Sequence, residues 1–177
     1  MSWNIDTSHS EVTFTVKHMM VSKVTGSFNV FKGSLEIDEE HPENSWVEAE
    51  ADTSSVDTRD ERRDGHLRSA DFFDAEKYPV IAFKSKKIEK KGGSEYNVLG
   101  DLTMHGVTRE VVFNADYAGQ VAKDPWGNRR AGLSATTTIN RKDFGLGWNV
   151  ALEAGGVMVG ENVKIEINLE ATYQQEQ

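Results

Sequence analysis

The run NVKIEINLEATY, residues 162–173, alternates without a break. Val163, Ile165, Ile167, Leu169, Ala171 and Tyr173 share one phase, and Lys164, Glu166, Asn168 and Glu170 share the other. A repeat of two belongs to a strand, whose side chains point alternately to opposite faces. One apolar face and one charged face describe a strand buried on one side only, so the fold is built around a sheet with a single covered face.

The same period recurs along the chain. Val12, Phe14 and Val16 alternate with polar neighbours, and His18 continues their phase. Phe28 and Val30 share a phase, whereas Leu35 and Ile37 lie on the other; this shift predicts a β-bulge between Phe31 and Gly33, with Gly33 its natural seat. Further runs carry Val47, Ala49, Ala51 and Thr53; Ile81, Phe83 and Ser85; and Tyr96, Val98, Gly100, Leu102 and Met104. Two more carry Val111, Phe113, Ala115 and Tyr117, then Ala131, Leu133, Ala135, Thr137 and Ile139. The segments between them, EEHPENS, KKGGSE, MHGV and KDPWGNR, hold turn residues. Eight strands joined in sequence by short turns predict an all-β fold, an antiparallel up-and-down barrel whose closure removes its exposed edges.

One segment breaks the period. VDTRDERRDGHLRSADFFD follows the third strand and is rich in helix formers. Thr58 and Glu61 fit a capping box, which predicts a short helix from about Arg59, with Asp64 and Arg68 paired at i,i+4. Its apolar residues, Leu67, Ala70, Phe72 and Phe73, gather at its far end. Such a helix suits a plug over one end of the barrel better than a core element.

The 177 residues suit one domain, 1–177, with a sizeable core. A net charge of −9 argues against nucleic acid as a partner and against docking on an anionic membrane. There is no cysteine, so thiol chemistry and disulfides are excluded. No apolar run reaches spanning length, which predicts no stable membrane insertion. The start, MSWNIDTSHSEV, lacks the basic and apolar regions of a secretory signal. It predicts a cytoplasmic protein, or a periplasmic one if a leader has been removed.

Among sites for chemistry, the five histidines show no metal spacing, and no G-x-S-x-G, phosphate loop or dinucleotide fingerprint occurs. His18 is expected to point inward as a hydrogen-bonded polar group, and His66 lies on the helix. Arg141 closes a strand in INRKDFG, and with the helix arginines it could line one barrel mouth. An eight-stranded barrel is either filled by side chains or holds one small ligand. Large inward residues mix with many small ones, which leaves both a packed interior and a narrow apolar channel open.

Five stretches together resemble the YceI-like family: W-x-I-D-x-x-H-S-x-V-x-F-x-V-x-H at Trp3 to His18, R-D-x-H-L-R-S-x-D-F-F-D at Arg63 to Asp74, Y-P-x-I-x-F-K-S at Tyr78 to Ser85, G-D-L-T-x-H-G-V-T-R-E-V at Gly100 to Val111, and I-N-R-K-D-F-G at Ile139 to Gly145. The resemblance covers essentially the whole chain. It implies a lipocalin-like barrel with a helix beside it, a long apolar interior for polyisoprenoid or quinone-type lipids, and no established catalysis. It therefore favours the channel.

The expected function is binding, storage or transport of a long-chain isoprenoid lipid, with that lipid as partner and no other cofactor. Phe14, Val16, Phe28, Val30, Phe72, Phe83, Val98, Leu102, Leu133, Ala135 and Phe144 are the candidate tail contacts. His18, His66 and Arg141 are the polar candidates for a head group or for anchoring. Two alternatives remain: an enzyme on such a lipid with His18, His66 or His105 as acid or base, and a structural barrel with a filled core. A homodimer is left open.

Overall fold

The computed structural model describes residues 3–153 and 155–173. Its eleven strands form one antiparallel sheet, with one α-helix, α1 (Glu61–Arg68), at one end. In chain order the strands are β1 (Trp3–Ile5), β2 (Glu11–His18), β3 (Ser22–Phe28), β4 (Phe31–Glu36), β5 (Trp46–Asp52), β6 (Val56–Asp57), β7 (Val80–Gly92), β8 (Glu95–Met104), β9 (Val107–Val121), β10 (Arg129–Asn140) and β11 (Val159–Tyr173).

The pairing reduces these to a closed barrel of eight strand positions. β1 and β2 are two halves of one strand, β3 and β4 of the next, and β5 and β6 of the third. β1 pairs with β4 (Trp3 opposite Leu35), while β2 pairs with β3 (Val16 opposite Val24). β4 then pairs with β5, and β3 with β6. β7 through β11 follow as a meander, and β11 closes the ring on β2 (Ile165 opposite Phe14) and on β1 (Ala171 opposite Ile5). The expected up-and-down barrel is thus present, with α1 after its third strand.

The break between β3 and β4 corrects one expectation. The phase shift near Phe31 is no bulge at Gly33. It is a corner at Asn29 and Val30, where the chain leaves β2 and takes up β1 and β5 as partners. Gly33 serves packing instead: a Cβ there would lie 2.6 Å from both the Glu48 carbonyl and Ile5 Cδ1. A genuine register shift lies between Ser85 and Lys87, and it hands the inward position from Phe83 on to Ile88.

The helix also starts differently from expectation. Asp60, not Thr58, is its N-cap, accepting from the N–H groups of Arg62 (3.0 Å) and Arg63 (3.1 Å). Asp64 is buried and accepts from the Thr58 N–H (2.8 Å) and hydroxyl (2.6 Å). It is therefore unavailable to Arg68, which reaches Glu61 at 3.6 Å instead. Arg63 closes the knot by donating to the Thr58 hydroxyl (2.7 Å) and carbonyl (2.6 Å).

Candidate functional site

The inward faces of the barrel enclose an apolar cavity of about 280 Å³. Large residues narrow it at intervals, as where the rings of Phe83 and Phe113 meet edge to face at 5.1 Å. Small ones open it: Ala49, Ala51, Ala115 and Ala135 all line the void. Along β11 the lining runs from Val159 to Leu169, roughly 30 Å of strand at the usual rise per residue.

One end is covered by the segment that follows α1. Phe72 and Phe73 turn inward to the cavity with Leu67. Phe73 meets Phe28 at 5.7 Å, and Phe72 meets the Trp148 ring at 5.3 Å. Arg141 holds this cover from below. It is only 3 % exposed, and its guanidinium donates to four carbonyls: Gly160 (2.8 Å), Leu146 (2.5 Å), Trp148 (2.9 Å) and Val159 (3.3 Å). Burial pulls its pKa below the ordinary value, partly offset by Glu161, and a guanidinium remains charged there. The fixed fork thus staples the loop after β10 to the start of β11.

The cavity reaches the surface at the other end, between β4 and β5, where Glu36, Asp38, Glu39 and Trp46 join the lining. There the Tyr117 hydroxyl donates to Glu39 Oε1 at 2.7 Å. Burial first, and Glu39 second, push the Tyr117 phenol above its usual value, so it stays a proton donor.

Of the candidate residues, Phe14, Val16, Phe28, Phe72, Phe83, Val98, Leu102, Leu133, Ala135 and Arg141 all line this one cavity. Four do not. Val30 is 53 % exposed because it sits on the outer corner between β3 and β4. His18 shares the phase of Phe14 but lies at the end of β2, opposite Ser22 and Val159, past a register shift in the β2–β11 pairing, and of these three only Val159 reaches the lining. Phe144 is buried in the packed end of the barrel with Leu146 and Ile139. His66 lies outside the cover, where Nε2 meets Asp71 Oδ2 at 2.9 Å and its ring stands edge-on to Trp148 at 4.6 Å.

Sequence reading missed Trp148 and the acidic mouth. Trp148 sits in an irregular loop that has no periodicity to read. The mouth did leave a signal, the run EIDEE from Glu36 to Glu40.

Asp6, His9 and Glu170 bring ligand-type atoms within 4.8 Å of one another. Arg130 already occupies the group: its Nη1 donates to Asp6 (2.7 Å) and Glu170 (2.9 Å). The trio is a salt-bridge network around a guanidinium.

A closed antiparallel barrel with an apolar void, a capped end and a polar mouth defines a ligand-enclosing β-barrel protein. The YceI-like domain family matches residues 3–171, and this chain belongs to that family. A UPF0312 protein of Staphylococcus aureus strain MSSA476 is 41 % identical over 170 residues, covering 96 % of each chain. Among solved structures, Burkholderia cenocepacia BcnA superposes with a TM-score of 0.84 at 26 % identity, covering 95 % of this chain and 99 % of that one. A polyisoprenoid binding domain from Saccharophagus degradans superposes with a TM-score of 0.75 at 17 % identity, covering 97 % of this chain and 98 % of that one, which marks a shared fold. Among the described residues, no helix is long and apolar enough to cross a membrane.

Proposed function

We propose that this protein binds a long-chain isoprenoid lipid, polyprenyl or quinone-type, inside the barrel, and that it stores or carries that lipid. The observation that carries the reading is the apolar cavity of about 280 Å³. At about 24 cal/mol per Å³, an empty void of that size costs on the order of 7 kcal/mol. That is comparable with the whole stability of an ordinary domain, roughly 5–15 kcal/mol. An apolar chain that fills the void removes this cost and adds about 0.8 kcal/mol for each buried methylene. The shape suits a long, thin tail, and the fold shared with a polyisoprenoid binding domain supports the same class of ligand.

Binding rather than turnover is favoured because, among the described residues, no histidine lines the cavity, and the carboxylates in the lining belong to its mouth or to β5. The decisive experiment is solvent extraction of the purified protein followed by mass spectrometry. A stoichiometric isoprenoid lipid is expected. Repeated absence of any lipid, together with failure to take up a fluorescent fatty probe, would sink the reading.

A further inference from the structure

The open mouth has its own chemistry. A second, polar pocket of about 330 Å³ adjoins the apolar cavity. The two share Glu36, Ile37, Asp38 and Glu39, and Glu40, Asn44, Gln120 and Arg129 complete the polar one. An amphiphile with its tail in the cavity would leave its head in this vestibule.

The vestibule sets four carboxylates against one guanidinium. Asp38 is held below the usual carboxylate range, chiefly by the His41 N–H at 2.8 Å. The Tyr117 phenol at the rim already gives its proton to Glu39. Gln120 lines the wall, its side chain hydrogen-bonded to the Tyr117 phenol. Beside the single guanidinium of Arg129, what the vestibule offers a ligand is mainly acceptors and negative charge. The other cation of the cavity, Arg141, offers no alternative seat for an anion, because its donors are spent on four carbonyls.

We infer that this vestibule selects the head group of the bound lipid: it takes an uncharged or cationic head that donates hydrogen bonds, such as a hydroxyl, amide or ammonium, and it rejects a phosphate or diphosphate. The inference rests on the lipid-binding reading and narrows it. A hydroxyl or amide donates to a free carboxylate oxygen of the vestibule. A diphosphate brings further negative charge into an acidic pocket and offers its carboxylates no proton.

The test uses the purified full chain and three ligands with one isoprenoid tail, ending in an alcohol, an amine or a diphosphate. Each competes against a bound fluorescent fatty probe. The alcohol and the amine should bind about tenfold or more tightly than the diphosphate. The gap should narrow with added salt, a measurement that needs no variant. It should also narrow in the Asp38→Asn, Glu39→Gln double variant. Equal binding of all three, or tightest binding of the diphosphate, overturns the head-group inference alone. Failure of all three to displace the probe overturns the isoprenoid reading and the inference with it.

Discussion

The Arg141 guanidinium lies 6.0 Å from the centre of the Phe72 ring, so the buried cation and the aromatic cover of the cavity meet face to face. The contact joins two distant pieces of chain, the segment after α1 and the loop after β10. Arg141→Met should destabilise the protein by about 3 kcal/mol or more, since it strands several buried carbonyls at once. Arg141→Lys should recover only part of this, because an ammonium cannot reproduce the planar fork. Urea midpoints of the two variants check the order; a Lys variant as stable as the parent would refute the fork's role.

Phe72 and His66 sit on opposite sides of the same cover, and their substitutions should separate. Phe72 is 7 % exposed and lines the cavity. Phe72→Ala should cost about 3–4 kcal/mol and release a bound fatty probe faster. His66→Ala removes a half-exposed hydrogen bond to Asp71 and the edge contacts with Trp148 and Phe72. It should cost about 1 kcal/mol or less while still speeding probe release. Stopped-flow release measured beside thermal unfolding distinguishes a loosened cover from a general loss of stability.

The start of α1 gives a three-way comparison. Asp64→Ala leaves the buried Thr58 N–H and the Thr58 hydroxyl proton without an acceptor and should cost about 2–3 kcal/mol. Asp60→Ala removes an exposed cap and should cost about 1 kcal/mol. Glu61→Ala should change little, because its contact is a long, exposed pair with Arg68. If Glu61→Ala were the most damaging, the capping box expected from sequence would be the better description.

That comparison also marks what the sequence could convey. Alternation assigned the inward faces of β5, β8, β9, β10 and β11 correctly, because a one-residue slip would expose every apolar residue on a strand. Its failures are local. Val30 follows the phase of Phe28 but lies past a corner, where alternation no longer refers to the same sheet face. His18 follows the phase of Phe14, yet a register shift in the β2–β11 pairing intervenes between Val16 and His18. Thr58 and Asp60 are both good caps, and only the burial of Asp64 decides between them. Whether the interior is filled depends on how alanines from separate strands coincide, as Ala115 faces Ala135 across β9 and β10, and that is a matter of register between strands.

Acid should weaken the protein partly through Asp6. Its carboxyl is held well below the usual carboxylate range, chiefly by the hydrogen bond from Arg130, with Ser8 and His9 adding to it. Asp124, which burial alone would raise, is likewise held low by the Asn128 N–H and by Arg130. A carboxylate whose folded pKa is depressed stabilises the fold above its unfolded value, near 3.9, and loses that contribution as pH falls toward the folded value. Arg130→Met should therefore open a stability gap to the parent that is full at neutral pH and narrows below about pH 4. Urea unfolding of both proteins at neutral and acid pH tests this; a gap of constant size would show that Arg130 acts through packing instead.

Filling the cavity separates its role from that of the barrel wall. Ala135 lines the middle of the void on β10, opposite Ala115 and Ile167. Ala135→Phe places a ring in open volume, so the usual overpacking cost of about 1–3 kcal/mol should be largely offset by the void it fills. The variant should keep the parent's circular dichroism and unfold within about 1 kcal/mol of it. It should also lose uptake of the fatty probe and copurify with no isoprenoid lipid. A variant that folds normally and still carries lipid would place the ligand outside the barrel, whereas a variant that unfolds would mean that the interior is already packed around residue 135.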